Sequence, residues 1–237
     1  MTNTAATIKS PARLLAECTV AGQEAVLDAS GAMYLPALSL MVASDLHFEK
    51  GTSWASRRIF LPPYDTHATF AALEAAVAHF MPQAILFLGD SFHDEGGPDR
   101  LDAVMVNHLA QMAVGRDLIW VTGNHDPVLP DHLPGLCVNE FADGGLHFTH
   151  IPQAGATGQV SGHLHPVAAV RGRGRLVRRR CFATDGDRMI LPSFGAFTGG
   201  LSLRDKAFDG LFAPGELVAY AIGDTAIYAL PSNSCGR

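Results

Sequence analysis

The chain has 237 residues, 48% hydrophobic and 17% charged, which is enough apolar material for one substantial core and too little charge for a disordered polyelectrolyte. Its formal net charge of -6 argues against a basic coat for nucleic acid, while leaving room for a local basic patch. The most apolar runs end in Asp, Gly or His long before the roughly 20 residues a bilayer crossing needs, so no membrane role is expected.

A single domain is expected over residues 1–237, with 1–12 and 232–237 as loose termini. Near the start, Glu17–Val20 and Ala25–Leu27 flank Ala21-Gly22-Gln23-Glu24 in the manner of a small hairpin. Short apolar runs then follow at Leu38–Ser44, Ala84–Leu88, Leu118–Thr122, Leu146–Thr149 and Gln159–Ser161, each too short for a helix and bounded by polar or Gly residues. Ala68–Phe80 and Asp99–Ala113 lie between the first three and carry apolar residues at helical spacing. Beyond Gln159 the segments shorten and turn residues crowd in, at Arg171–Arg180, Asp185-Gly186-Asp187 and Phe194–Gly200, which suggests an antiparallel half. The expectation is an α/β fold, a two-sheet β-sandwich flanked by helices in an αββα arrangement. Cys18, Cys137, Cys181 and Cys235 are scattered without CxxC spacing, and the N-terminus lacks the features of a secretory signal, so a reduced cytoplasmic protein is expected.

Nearly every apolar run ends in a candidate metal ligand: Asp45-Leu46-His47, Gly89-Asp90, Gly123-Asn124-His125-Asp126, His150, and Gly162-His163-Leu164-His165. Ligands of open α/β sheets gather at the carboxyl ends of strands, so these blocks predict one site. Residues two apart in extended chain project to one side, which lets Asp45 and His47 share a cavity, as can His163 and His165. Glycine before Asp90, Asn124 and His163 would permit the positive-φ turns that lift a side chain toward a metal. The donors are imidazole and carboxylate or carboxamide oxygen without thiolate, which suits Mn, Fe, Zn or Mg better than a structural cysteine–zinc site.

The ordered D-x-H, G-D, G-N-H-D, H and G-H-x-H blocks resemble those of the calcineurin-like metallophosphoesterases. The resemblance implies one metal held by Asp45, His47, Asp90 and His165 and a second by Asp90, Asn124, His150 and His163, with Asp90 bridging. Two divalent ions carry four positive charges against two from Asp45 and Asp90, so the centre would be about +2 and would take a bridging hydroxide and a phosphate oxygen. That hydroxide is the expected nucleophile. His125 matches the family's non-ligand histidine, a general acid for the leaving oxygen, with Asp126 able to orient it. Of the remaining histidines only His147 competes with His150 for its place. His93, Lys50, Arg57 and Arg58 follow the ligand blocks and are candidate substrate contacts, with a solvated-loop role as the alternative.

Residues 171–180 hold six of the fourteen arginines of an acidic chain, which asks for an anionic partner. An extended strand would carry Arg171 up to roughly 20 Å past His165, so contact with DNA flanking a cut is one reading and a solvated turn the other.

A closer resemblance rests on Ala43-Ser-Asp-Leu-His-Phe-Glu-Lys-Gly51, Leu61-Pro-Pro-Tyr-Asp65, Leu88-Gly-Asp-Ser-Phe-His-Asp94, Gly123-Asn-His-Asp-Pro127, Gly162-His-Leu-His-Pro166, Arg179-Arg-Cys-Phe182 and Pro192-Ser-Phe-Gly-Ala-Phe-Thr-Gly-Gly200. These segments are similar to the bacterial DNA-ligase-associated metallophosphoesterases, a DNA damage response endonuclease family. The resemblance implies a manganese-dependent phosphodiesterase or endonuclease cutting single-stranded or flexible DNA, in a repair pathway that also holds a ligase, a helicase and a second nuclease. A small-molecule or nucleotide phosphodiesterase or phosphatase would use the same metals and stays open as the alternative.

Overall fold

The computed structural model describes residues 13–56, 64–172, 175–196 and 198–231. Among the described residues one sheet runs in the order β1 (Leu15–Val20), β2 (Gln23–Asp28), β3 (Met33–Leu35), β4 (Leu40–Ala43), β5 (Ala84–Leu88), β6 (Asp117–Val121) and β7 (Leu136–Val138). Pairing is antiparallel from β1 to β4 and parallel from β4 to β7. The change has a chain-length cause. Two-residue turns suffice for the first hairpin, whereas parallel neighbours need crossovers, supplied by α1 (Lys50–Ser56) with α2 (Asp65–Phe80), and by α3 (Gly97–Arg100) with α4 (Ala103–Met112).

The second sheet contains β8 (Phe141–Asp143), β9 (Leu146–Phe148), β10 (Gln159–Ser161), β11 (Val167–Gly172), β12 (Arg175–Thr184), β13 (Met189–Ile190), β14 (Val218–Ile222) and β15 (Ile227–Pro231). Its path is β15-β14-β12-β13-β10-β9-β8, with β11 paired to β12. This half is mixed rather than wholly antiparallel, because β9, β10 and β13 run parallel.

Strand alternation sorts the central sheet into two cores. Met41, Ala43, Ile85, Phe87, Leu118 and Trp120 face Leu73 and Val77 of α2 and Leu109 of α4. Leu40, Val42, Leu86, Leu88, Ile119 and Val121 face the other sheet and meet Leu146, Phe148, Val160 and Phe182. Strands apolar on both faces are the expected mark of buried parallel pairing, and each fully buried large side chain contributes about 1.5–3 kcal/mol. The outer face of the second sheet has a thinner cover: Ala183 and Ile190 pack under Phe208 and Leu211, from the 3-10 turn Lys206–Phe208 and the loop after it.

Two expected elements differ in detail. Asp99–Ala113 is not one helix, because Leu101 adopts extended backbone (φ -62, ψ 124) and Asp102 starts a new helix, its side chain accepting the Met105 N–H at 2.8 Å. The arginine-rich stretch is not a run of turns but most of a hairpin, in which Val167 lies opposite Arg180 and Ala169 opposite Arg178. The return strand brings its arginines back. The expected loose termini and Arg57 and Arg58 lie outside the described residues.

Candidate metal centre

Past the carboxyl ends of β4 and β5 the two loops continue to pair. The N–H of Asp45 donates to the Gly89 carbonyl (3.1 Å), that of His47 to Asp90 (3.0 Å) and that of Phe48 to Ser91 (2.8 Å). From the second sheet, Gly162 N–H donates to the His150 carbonyl (3.0 Å) and His163 N–H to Asp45 Oδ2 (3.0 Å). Segment 193–200 closes the other side, with Gly195 N–H on the Asp45 carbonyl at 3.1 Å. Leu46 and Leu164 are buried between their polar neighbours, but the flanking residues are not extended chain, so left-handed backbone and not strand alternation brings the ligands together.

Asp45, His47, Asp90, His163 and His165 all take left-handed backbone, with φ of 55, 47, 47, 67 and 45°. Each costs an L-residue of order 1–2 kcal/mol, and such strain at converging polar side chains points to a functional site. The glycines before them work differently than expected. Only Gly89 takes positive φ (+74°); Gly123 and Gly162 clear space, since a Cβ at Gly123 would overlap Asp90 and one at Gly162 would overlap the Ser44 hydroxyl.

The result is two groups of three candidate ligands. In one, donor atoms of Asp45, His47 and His165 all lie within 4.8 Å of one another, and in the other those of Asp90, His150 and His163 do. His165 Nε2 stands 3.0 Å from Asp45 Oδ1 and 3.5 Å from His47 Nε2. His150 Nε2 stands 3.3 Å from Asp90 Oδ2 and 3.2 Å from Asn124 Oδ1, which brings Asn124 to the second group.

Backbone carbonyls choose the working nitrogen of three rings. Nδ1 of His150 faces the Leu88 carbonyl (3.1 Å), that of His165 the Gly199 carbonyl (3.0 Å) and that of His125 the His93 carbonyl (2.8 Å). A carbonyl only accepts, so each Nδ1 carries a proton and leaves Nε2 facing the centre, as the ligand atom in His150 and His165. Burial drives the His47 imidazole down to about 3, helped by His165 and opposed by Asp45 and Asp90, so this ring is neutral. Burial alone would raise Asp90, but His150 and the His125 N–H at 2.9 Å overcome it and hold the carboxyl at about 2. Asp45 is likewise held down against burial, chiefly by His165. Burial lowers His163, and the carboxylates raise His150 and His165 against it.

This donor set fits divalent cations. Asp45 Oδ1 and His47 Nδ1 are buried without a hydrogen-bond partner, and donor atoms of Asp45, His47 and His165 converge within 4.8 Å, a spacing that one cation would satisfy. The set holds nitrogen and oxygen donors, as for Mn, Fe, Zn or Mg.

The other expected residues separate. His150 is buried in the second group, while its competitor His147 projects outward from β9. His125 is partly exposed, its Nε2 3.8 Å from Asp90 Oδ2. Asp126 does not orient it. That carboxylate instead accepts the N–H groups of Gly123 (3.0 Å) and Phe92 (3.1 Å), and burial with the Asp90 charge pushes it up to about 6 against those bonds. Its side chain turns back under its own loop, so the tether of His125 is the His93 carbonyl. The His93 ring lies over that of His125 (5.6 Å, 25°) and accepts the Trp54 indole N–H at 2.9 Å. Lys50 is at the margin, its ammonium 5.9 Å from the Trp54 ring centroid.

Sequence reasoning missed Ser44, whose hydroxyl lies 2.6 Å from Asp45 Oδ2 and 2.9 Å from the Leu88 carbonyl, and the carbonyl of Gly199. Ser44 adjoins the first ligand and could have been suspected. A backbone carbonyl leaves no residue-type signal.

Sandwiched sheets carry paired nitrogen and oxygen ligand groups at the strand ends, a site suited to divalent metal, and the family match makes the chain a phosphoester hydrolase. The calcineurin-like phosphoesterase family matches residues 38–186, and the chain belongs to that family. The crystal structure of Pseudomonas putida nuclease MPE is similar over 91% of this chain and 100% of that one, with 25% identity and a TM-score of 0.73. A phosphoesterase from E. coli, Yfce, aligns over 83% of this chain and 99% of its own at 22% identity and a TM-score of 0.39. No curated protein matches by sequence.

Proposed function

We propose that this phosphoester hydrolase is a phosphodiesterase that cuts DNA internally, in the cytoplasm, as part of a repair process shared with a ligase, a helicase and a second nuclease. The observation that carries the reading is the juxtaposition of two ligand triads with His125 Nε2, 3.8 Å from Asp90, on a chain similar along its length to a nuclease. Asp45, His47, Asp90 and His165 would hold one metal, and Asp90, Asn124, His150 and His163 the other, with manganese as the proposed ion. Bound there, divalent ions would activate water and offset the charge of the phosphate.

The remaining chemistry belongs to the chain. His125 Nε2 delivers a proton to the departing oxygen, because its Nδ1 is committed to the His93 carbonyl. His93, itself fixed by the Trp54 indole N–H, stacks on that imidazole and steadies it for the substrate.

The test is nicking of circular single-stranded DNA by manganese-loaded protein, with Asp90→Ala as control. Wild type should nick, and manganese should raise its melting temperature. The variant should do neither. Hydrolysis of a small diester with circular DNA left intact would overturn the nuclease reading and point to a small phosphodiester.

A further inference from the structure

Beside His165 lies a cavity of about 430 Å³ lined by Arg178, Arg180, Ser193, Thr198 and the backbone of Gly199 and Gly200. It shares His165 with the metal centre, and none of the other lining side chains belongs to the ligand groups. We infer that this cavity is a subsite for one phosphate of a nucleic-acid strand next to the phosphate being cut, with Arg178 as its principal contact. The inference rests on the nuclease reading above.

Strand alternation gives the first argument. Along β12, Arg178 and Arg180 share a face and Arg179 takes the other. Arg179 is engaged there by Asp224 at 2.6 Å, whereas Arg178 and Arg180 both line the cavity. Among the described arginines the basic segment is thus divided, with Arg178 and Arg180 facing the cavity.

The pair is also held differently. Arg180 is partly buried and spends its terminal nitrogens on the carbonyls of Ser193 (2.9 Å) and Ala29 (3.1 Å), so it supplies fixed positive charge at the cavity wall. Arg178 is exposed and steadied by one nitrogen on the Gly200 carbonyl at 3.2 Å. A planar guanidinium pinned at one corner keeps donors to present to a phosphate oxygen. Thr198 and Ser193 bond to each other by their hydroxyls, closing the floor with polar atoms. Gly200 must lack a side chain, because a Cβ there would overlap the His165 carbonyl. A charged pocket next to a centre that attracts phosphate is suited to the repeating phosphates of one strand.

The test compares thymidine p-nitrophenyl phosphodiesters, at the 3′ and at the 5′ position, with and without a phosphate on the opposite hydroxyl. Wild type should prefer one phosphorylated isomer in kcat/KM by roughly tenfold to a hundredfold, the worth of a hydrogen bond to a charged group. Arg178→Ala should collapse that preference, Arg178→Lys should restore part of it, and Arg179→Ala should leave it intact. Binding of a single-stranded oligonucleotide to chelated protein should show the same order, the Arg178→Ala salt slope falling by about 0.7. An undiminished preference in Arg178→Ala, or none in a wild type that does cut DNA, overturns the subsite and leaves the nuclease reading standing. A wild type that hydrolyses the diesters but neither binds nor cuts DNA overturns both.

Discussion

Replacing Ser44 by alanine is expected to weaken both the fold and the grip on metal, by amounts that follow from its contacts. Ser44 is fully buried, with Asp45 Oδ2 at 2.6 Å and the Leu88 carbonyl at 2.9 Å. One hydroxyl has one proton, so the variant loses a single hydrogen bond at full strength, and its better acceptor is charged. Such a bond is worth about 1.5–3 kcal/mol. Neither acceptor is stranded, because Asp45 Oδ2 keeps the His163 N–H and the Leu88 carbonyl keeps His150 Nδ1. The loss should therefore fall near the low end, about 1.5–2 kcal/mol, which for a chain of this size lowers the melting temperature by about 3–8 °C. Asp45 would also rest less firmly at its strained backbone position, and loss of a residue that fixes a metal ligand commonly weakens metal binding about 10- to 100-fold. Urea unfolding of chelated protein reads the first effect and manganese titration by calorimetry the second. A stability within about 0.5 kcal/mol of wild type, together with unchanged manganese affinity, would refute the reasoning.

Two further outcomes are expected. His125→Ala should slow cleavage of DNA or of alkyl phosphodiesters by about 10²–10⁴-fold while sparing bis(p-nitrophenyl) phosphate, whose leaving group needs no proton; equal losses in steady-state rates would remove its role as acid. Asp185 is held below the ordinary carboxylate range, since the N–H groups of Ala213 and Arg188 and the Arg188 guanidinium at 3.0 Å outweigh its burial. A depressed folded-state value means stabilisation that is present above about pH 3.9 and is lost as pH falls through the folded value, so Asp185→Asn should flatten the acid limb of a stability–pH curve. An unaltered limb would count against it.

The parts of the fold that were legible in the sequence are those carried by side-chain chemistry at short range. Ala84–Leu88 and Gln159–Ser161 are strands at the expected bounds, and the ligand blocks do converge at strand ends. Pairing partners were less legible. No local signal says that β9 and β10 run parallel, or that Arg178 returns beside His165 instead of trailing away, because both depend on which distant strand fills the neighbouring position. Asp126 was misread for a related reason. Adjacency to His125 suggested a partnership, but a buried carboxylate goes where backbone donors need an acceptor, and the N–H groups of Gly123 and Phe92 face the other way. The break at Leu101 was recoverable, since Asp102 is a good helix cap.

The left-handed backbone at Asp45, His47, Asp90, His163 and His165 bears on how such a centre would decay over generations. Together those conformations hold roughly 5 kcal/mol or more of local strain, a sizeable share of what keeps an ordinary domain folded. Glycine would relax any one of them and abolish a ligand in the same step. A descendant no longer selected for hydrolysis would gain folding stability by drifting to glycine or asparagine at His47 or His163, where no buried backbone donor is stranded, so that loss of catalysis would register first as a hardier protein.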